Sequence, residues 1–412
     1  MSRSPGNIRF KAARLAAGYV SQQALVKALA ERNLSVDVRQ VRRWESDTPP
    51  WPYSAAQQAL TELLGQDIEA LGFTPPAGHD RAVTGRRAQI KPAVIPARLS
   101  MQNATSTQPA SAAVDYLAVT RAHRRLYWTV APATLHPAAL AHGTLGGALL
   151  TATAGVTRQT IAAALAESQL LAGRIEFFDL REPQQATDTW LRALQAAGEA
   201  DDALLGAAVL AHMAFAPGWA CDREGAVERM VMARTYARRG PASAEFLAWL
   251  DAVEAECETR CGQPRTALNL IAHGESVLTT GGEHQNPEWM DWFSPVRLAA
   301  FKGNTQLMAG HLPQARETLL GVLDQLPADA DKQRTVVLAD IAAVEAAAGQ
   351  PEAACGYALR ALEQLETHWY ATGMERVREV RRTLTRWQHE QYVRDLDDRL
   401  YGWGVTLSAL TR

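Results

Sequence analysis

Arg39, Gln40, Arg42 and Arg43 fall within five residues of one another, and each carries a side chain that nucleic acid can use. A guanidinium presents paired N–H donors that match the O6 and N7 acceptors of guanine, a carboxamide matches the adenine edge, and any free cation attracts phosphate. In the segment beginning at Ser35, Val38, Val41 and Trp44 recur at three-residue steps. That spacing predicts a helix whose apolar side turns inward and leaves Asp37, Arg39, Gln40 and Arg43 pointing outward. A short helix with a basic, amide-bearing outer face, held by a partner helix, is the geometry that enters the DNA major groove. Arg39, Gln40 and Arg43 are assigned to base edges, and Arg42 and Lys27 to phosphates.

The partner helix is legible just upstream. Ser21 can accept hydrogen bonds from the free N–H groups of a first turn, and Ala24, Leu25, Ala28 and Leu29 form a buried stripe. The turn runs through Asn33, which tolerates left-handed backbone angles, and Leu34, which plugs the angle between the helices; Ser35 is the expected second N-cap. Ile8, Ala12, Leu15 and Ala16 make the stripe of an earlier helix, with Gly18 as its C-cap. After Trp51-Pro52 the chain restarts; Ala55, Ala59, Leu60, Leu63 and Leu64 give another apolar face, and a short helix is expected at 67–71.

On these residues, 8–73 resemble the lambda-repressor-like (Xre-type) helix-turn-helix domains. Ser21-Gln22-Gln23-Ala24-Leu25 is similar to that family's second-helix opening, and Val41-Arg42-Arg43-Trp44-Glu45 to its recognition-helix ending. The resemblance implies that Gln22 sits near a phosphate or base edge and that Arg14 pairs with Glu45; Gln23, Ser35 and Asp37 are counted with the DNA-binding residues. The connecting AERNLS is slightly longer than the family's usual glycine-containing turn.

Charge supports the same placement. The whole chain has 42 basic and 44 acidic residues, which predicts no general affinity for polyanions. In the first 45 residues, however, nine Lys and Arg stand against three acidic residues, so the positive charge is concentrated where DNA would lie.

From 74 to 113 the chain is rich in Pro, Ala, Ser and Thr, and is made basic by Arg81, Arg86, Arg87, Lys91 and Arg98. It is expected to be a disordered linker, because it cannot bury enough apolar surface to offset its ordering entropy. Three domains are therefore expected: a DNA-binding domain over 1–73, the linker, and 114–412, which is Ala- and Leu-rich with helical spacing and no strand alternation. The fold class is all-α.

In that last region Gly303, Gly310, Ala315 and Pro327 fall at the positions that tetratricopeptide repeats reserve for close helix approach, turn, close approach and stop. Ala342, Gly349 and Ala354 repeat the pattern, as do Ala255, Gly262 and Ala267. Weaker copies centre on Ala186 and Ala226. The five key alanines are spaced 40, 41, 48 and 39 apart, longer than the ideal 34, so longer helices or loops are expected. Helices near 134–153 and 156–173 should cap one end, and 374–400 the other.

The order of repressor-like domain, linker and tetratricopeptide-like solenoid is similar to a group of actinobacterial transcriptional regulators. Arg43-Trp44-Glu45, Leu171-Ala172-Gly173, Phe178-Asp179-Leu180 and the run Val393 to Leu400 carry that similarity. A superhelix of this kind offers a concave groove for a peptide, a small molecule or a protein. Trp190, Trp219, Trp249, Trp289, Trp292 and Trp369 are read mostly as packing. The insertion 281–287, followed by Trp289, Trp292 and Phe293, is either a simple long loop or a ligand-contacting cluster.

No catalytic constellation emerges. Cys257 and Cys261 lie one helical turn apart without further ligands at metal-site spacing, and read as buried thiols. Gly143 to Gly147 lacks the strand a dinucleotide site requires, and His136, His142, His212 and His273 read as structural. No enzyme activity, metal or cofactor is expected. With no signal peptide and no run of about 18 apolar residues, the chain is expected in the cytoplasm and off the membrane. The expected function is a DNA-binding transcriptional regulator that binds double-stranded DNA as a homodimer and senses an effector. The alternative is a protein–protein interaction scaffold whose helix-turn-helix docks to protein.

Overall fold

The structure is a computed structural model that describes residues 7, 10, 11, 13, 14, 17, 19, 21–32, 34–46, 48–64, 68, 71–74 and 108–410, with side chains through Trp403. The chain divides into two compact units, Met1–Arg98 and Leu99–Arg412. The described residues form seventeen α-helices and no strand. The segment 75–107, most of the expected linker, lies outside them, as do Ile8, Ala12, Leu15, Ala16, Gly18 and Asn33.

In the first unit, α1 (Gln22–Ala30) starts where Ser21 accepts from the Ala24 N–H, and buries Leu25, Ala28 and Leu29. After an extended stretch, α2 (Val38–Trp44) buries Val41 and Trp44. Its N-cap is Asp37, which accepts from the Gln40 N–H at 2.7 Å, and not Ser35. The extended residues from Leu34 delay the helix start by two positions, and a carboxylate at the corner fulfils the capping role. α3 (Ser54–Leu64) buries Ala56, Ala59, Leu60 and Leu64. Ala55, expected inside, is exposed and Ala56 takes its place. The core adds Phe10, whose ring meets Trp44 and Phe73 edge-on, together with Leu34, Ile68 and Leu71.

The second unit begins with α4 (Ser111–Leu126), α5 (Pro132–Thr151) and α6 (Gly155–Arg174). The last of these runs on into a π-helical turn, Ile175–Leu180. Next come α7 (Pro183–Ala200), α8 (Ala203–Trp219), α9 (Arg223–Ala237), α10 (Ala244–Arg260) and α11 (Pro264–Thr280). The order ends with α12 (Pro295–Met308), α13 (Leu312–Gln325), α14 (Asp331–Ala347), α15 (Pro351–Thr367), α16 (Ala371–Thr383) and α17 (Gln391–Leu410). Prolines in the first turn begin several of these helices, where the missing N–H costs nothing.

One local geometry recurs. Arg181, Cys221, Gly262, Gly310 and Gly349 all have positive φ, between 58° and 78°. Each precedes by five residues one of Ala186, Ala226, Ala267, Ala315 and Ala354, all of them 1 % exposed or less. The left-handed residue reverses the chain, and the missing bulk on the alanine lets the following helix lie against the one before. Glycine takes that backbone without strain in three turns; Arg181 and Cys221 do not have that freedom. A Cβ on Gly303 would come within 2.5 Å of Leu319, so α12 and α13 approach closely at that glycine.

The helices preceding these turns form an inner row, and α8 and α10 are buried on nearly every side. The outer helices α7, α11, α13 and α15 bury a single stripe, as amphipathic helices do. The inner row does not end in an open groove. α16 returns to the π-helical turn: Thr372 donates to the Phe178 carbonyl at 3.0 Å, Trp369 Nε1 to the Asp179 carbonyl at 3.3 Å, and Arg181 meets Glu375 at 2.7 Å. Lys332 of α14 pairs with Asp179 at 2.8 Å, both side chains buried. A concave groove was the expectation; these bonds between residues 153 to 194 apart narrow it to a pocket that stays partly open.

Candidate functional site

In the first unit, the inward side of α2 is anchored by Val41 and Trp44, and its outward side carries Arg39, Arg42 and Arg43, all exposed. Gln40 is half-buried at the helix start. Among the described residues, the side chains of Lys27, Arg39 and Arg43 make no hydrogen bond or ion pair, so their charge faces outward unneutralised. Gln23 and Ser35 are also exposed. Asp37 is occupied as the N-cap.

Beside this face runs a polar chain that fixes α1 against α2. Arg14 Nε donates to Glu45 Oε1 at 2.8 Å, with both side chains largely buried. Gln22 Nε2 donates to Glu45 Oε2 at 2.5 Å, and Arg42 Nε donates to Gln22 Oε1 at 3.2 Å. Arg14 also donates to the Tyr19 carbonyl. The structure thus brings Arg14, Glu45, Gln22 and Arg42 together, and Gln22 spends its amide on this chain. A connected, charge-assisted network of this kind adds directional bonds to the apolar packing of the helix pair.

The second unit holds a partly open cavity of about 110 Å³ lined by the inner row. Its wall is aromatic: Phe215 and Trp219 from α8, Trp249 from α10, Trp292 and Phe293 from the segment before α12, and Phe178 from the π-helical turn. Along the π turn Phe177 enters the core and Phe178 borders the cavity.

The insertion after α11 is not a loose loop. Arg121 meets Glu288 at 2.6 Å, and Arg124 bridges Glu167 of α6 at 2.7 Å and Asp291 at 3.2 Å. So held, the segment buries Trp289, Met290, Trp292 and Phe293. Trp292 and Phe293 reach the cavity; Trp289 stacks on Trp292 at 5.7 Å from the far side. Trp249 belongs to the buried core and Trp219 packs against it, as expected, and both also line the wall, whereas Trp190 is wholly core. Helical spacing does not separate these roles, because the inner helices are buried all round and every face looks apolar.

Charges share the cavity. Arg174, Arg297, Lys332 and Arg376 border it, with Glu256 and Asp340. Arg376 meets Glu256 at 3.2 Å and Asp340 at 3.6 Å, and Arg260 braces Glu256 at 2.8 Å. Burial raises the Asp340 carboxyl to about 6. His212, read as structural from sequence, also borders the cavity; burial and then the charge of Arg174 hold its pKa near 3, so the ring is neutral. Its Nδ1 lies 2.8 Å from the Ala208 carbonyl.

Among the described residues, no cluster of His, Cys, Asp and Glu could hold a metal ion. Burial raises the pKa of Cys257, Cys261 and Cys355, which keeps those thiols protonated. Cys261 is only partly buried and Cys221 is exposed. No helix of the described residues is long and apolar enough to cross a membrane. Neither protein-family profiles nor curated proteins contain a match to this chain.

Proposed function

We propose that this chain is a sequence-specific DNA-binding transcriptional regulator of the cytoplasm. In this reading the first unit is a lambda-repressor-like helix-turn-helix with α2 as its recognition helix. The second is a tetratricopeptide-like solenoid that senses an effector or joins two copies. One observation carries the reading: α2 turns Arg39, Arg42 and Arg43 outward, and Arg39 and Arg43 have no intramolecular partner among the described residues. Its opposite side is locked by Val41, Trp44 and the Arg14–Glu45 pair. Fixed cations on a braced helix match phosphate and guanine in both charge and geometry.

A helix of seven residues spans about 10 Å, enough for three or four base contacts. That is too few for useful specificity, so two copies on an operator of two half-sites follow from the proposal. The test is selection of bound duplexes from a random pool by the full chain, followed by affinity measurements at increasing salt. Enrichment of a two-fold sequence with steep salt dependence supports the proposal. Failure to retain any duplex at low salt removes it and leaves an interaction scaffold.

A further inference from the structure

We propose that the central cavity of the second unit binds a compact organic monoanion, a one- or two-ring carboxylate, with Arg174 as the group that selects its charge. Several polar groups in the wall lack a hydrogen-bond partner among the described residues. Arg174 is 6 % exposed, and its guanidinium lies 4.6 Å from the Trp292 ring centroid and 4.8 Å from that of Tyr127. Among the described residues it makes no hydrogen bond and no close ion pair, although its charge acts at longer range on the carboxylates of Asp179 and Asp291. Arg297, 5.3 Å from the Phe301 ring centroid, is likewise without an ion pair among them. The indole N–H groups of Trp219 and Trp292 and Nε of Arg376 are buried with no acceptor.

All of these groups are donors. The carboxylates facing the cavity are already used: Glu256 by Arg260 and Arg376, Asp340 by Asn304 and Arg376. Lys332 is neutralised by Asp179. A buried guanidinium that touches only ring faces, with the Asp179 and Asp291 carboxylates beyond ion-pair distance, keeps part of its demand for an anion, since neither contact fully replaces its lost hydration. The wall therefore asks for acceptor oxygens, and its rings ask for an apolar body.

Size and charge narrow the class. About 110 Å³ is of the order of a cavity that holds one aromatic ring, and a second ring would lie toward the pocket's open side. Glu256 and Asp340 border the same space and oppose a second negative charge, which favours a carboxylate over a phosphate ester. That such a ligand is the signal for DNA binding rests on the regulator reading above; its occupancy of the cavity does not.

The experiment uses the full chain and a panel of benzoate, phenylacetate, 1-naphthoate and 2-naphthoate, with the matching amides and naphthyl phosphates. Binding is followed by tryptophan fluorescence and calorimetry. At least one carboxylate should saturate the site, and its amide should bind tenfold or more weakly. Arg174→Met should erase that preference while keeping the melting temperature. Trp292→Phe, which keeps a ring and removes one N–H, should weaken the carboxylate several-fold; it serves if the Arg174 variant does not fold. The proposal is overturned if no carboxylate binds, if amide and acid bind alike, or if Arg174→Met (or, failing its folding, Trp292→Phe) retains the parent's behaviour. A phosphate ester that outcompetes its carboxylate overturns the choice of anion. Loss of DNA binding alone leaves these results standing and counts only against the regulator reading.

Discussion

Glu45 is where the first unit is most open to a decisive perturbation. Its carboxylate accepts from Arg14 at 2.8 Å and from Gln22 at 2.5 Å, with Arg14 4 % and Glu45 11 % exposed. Replacing it with Ala removes the carboxylate that faces a buried guanidinium and releases Gln22. Breaking a buried ion pair from one side costs roughly 3–5 kcal/mol. Arg14 keeps its bond to the Tyr19 carbonyl, so the lower end, about 3 kcal/mol, is the expectation. At 1.36 kcal/mol per tenfold, amide exchange across α1 and α2 should then quicken by about two orders of magnitude. Hydrogen exchange read by mass spectrometry on peptides spanning 22–44 isolates this effect within the full chain. The companion Arg14→Leu/Glu45→Leu should recover most of the loss, since no buried charge is left unpaired. If Glu45→Ala changed exchange less than about threefold, or if the double variant lost the sum of both single changes, the pair would not be buried in solution and the bracing argument would fail.

Three further outcomes follow from the second unit. Cys221→Gly should raise its stability by about 1 kcal/mol and Gly349→Ala should lower it by a similar amount, because both positions have positive φ; chemical denaturation measures each. Ala315→Leu should lower the melting temperature by several degrees, as a fully buried alanine between helices leaves no room for three more carbons. His212 is neutral in the fold, with its pKa pressed down to about 3 from 6.5, so its stabilising contribution is complete above pH 6.5 and drains away as pH falls toward 3. Between pH 6.5 and 4 that loss is about 3 kcal/mol, and His212→Leu should flatten the stability–pH curve there. The raised carboxyls of Glu167 and Asp340, near 7 and 6, act in the opposite sense in both proteins and cancel in the comparison.

The helical pattern of both units was legible because it depends on spacing within single elements. Leu25, Leu29, Val41 and Trp44 announce buried stripes, and the glycines before Ala267, Ala315 and Ala354 announce turns. What escaped was tertiary. Nothing local distinguishes Ser35 from Asp37 as a cap; the extended path from Leu34 decides it. Phe10 was not counted in the first helix's stripe, although two aromatic rings close over it. The cavity was invisible for a related reason: its wall draws Arg174, His212, Trp249, Trp292 and Arg376 from across some 200 residues, and closure depends on Thr372 and Trp369 reaching Phe178 and Asp179. No periodicity in one helix encodes that meeting.

The central claim is that the outer face of α2 reads DNA, and the most direct measurement is the affinity of Arg39→Ala and Arg43→Ala chains for the selected operator and for single-base variants of it. Each substitution should cost about 1–3 kcal/mol on the operator and abolish discrimination at one base pair, while Arg42→Ala weakens all duplexes alike. Equal affinity of parent, Arg39→Ala and Arg43→Ala for the operator, with discrimination intact at every position, would contradict the claim.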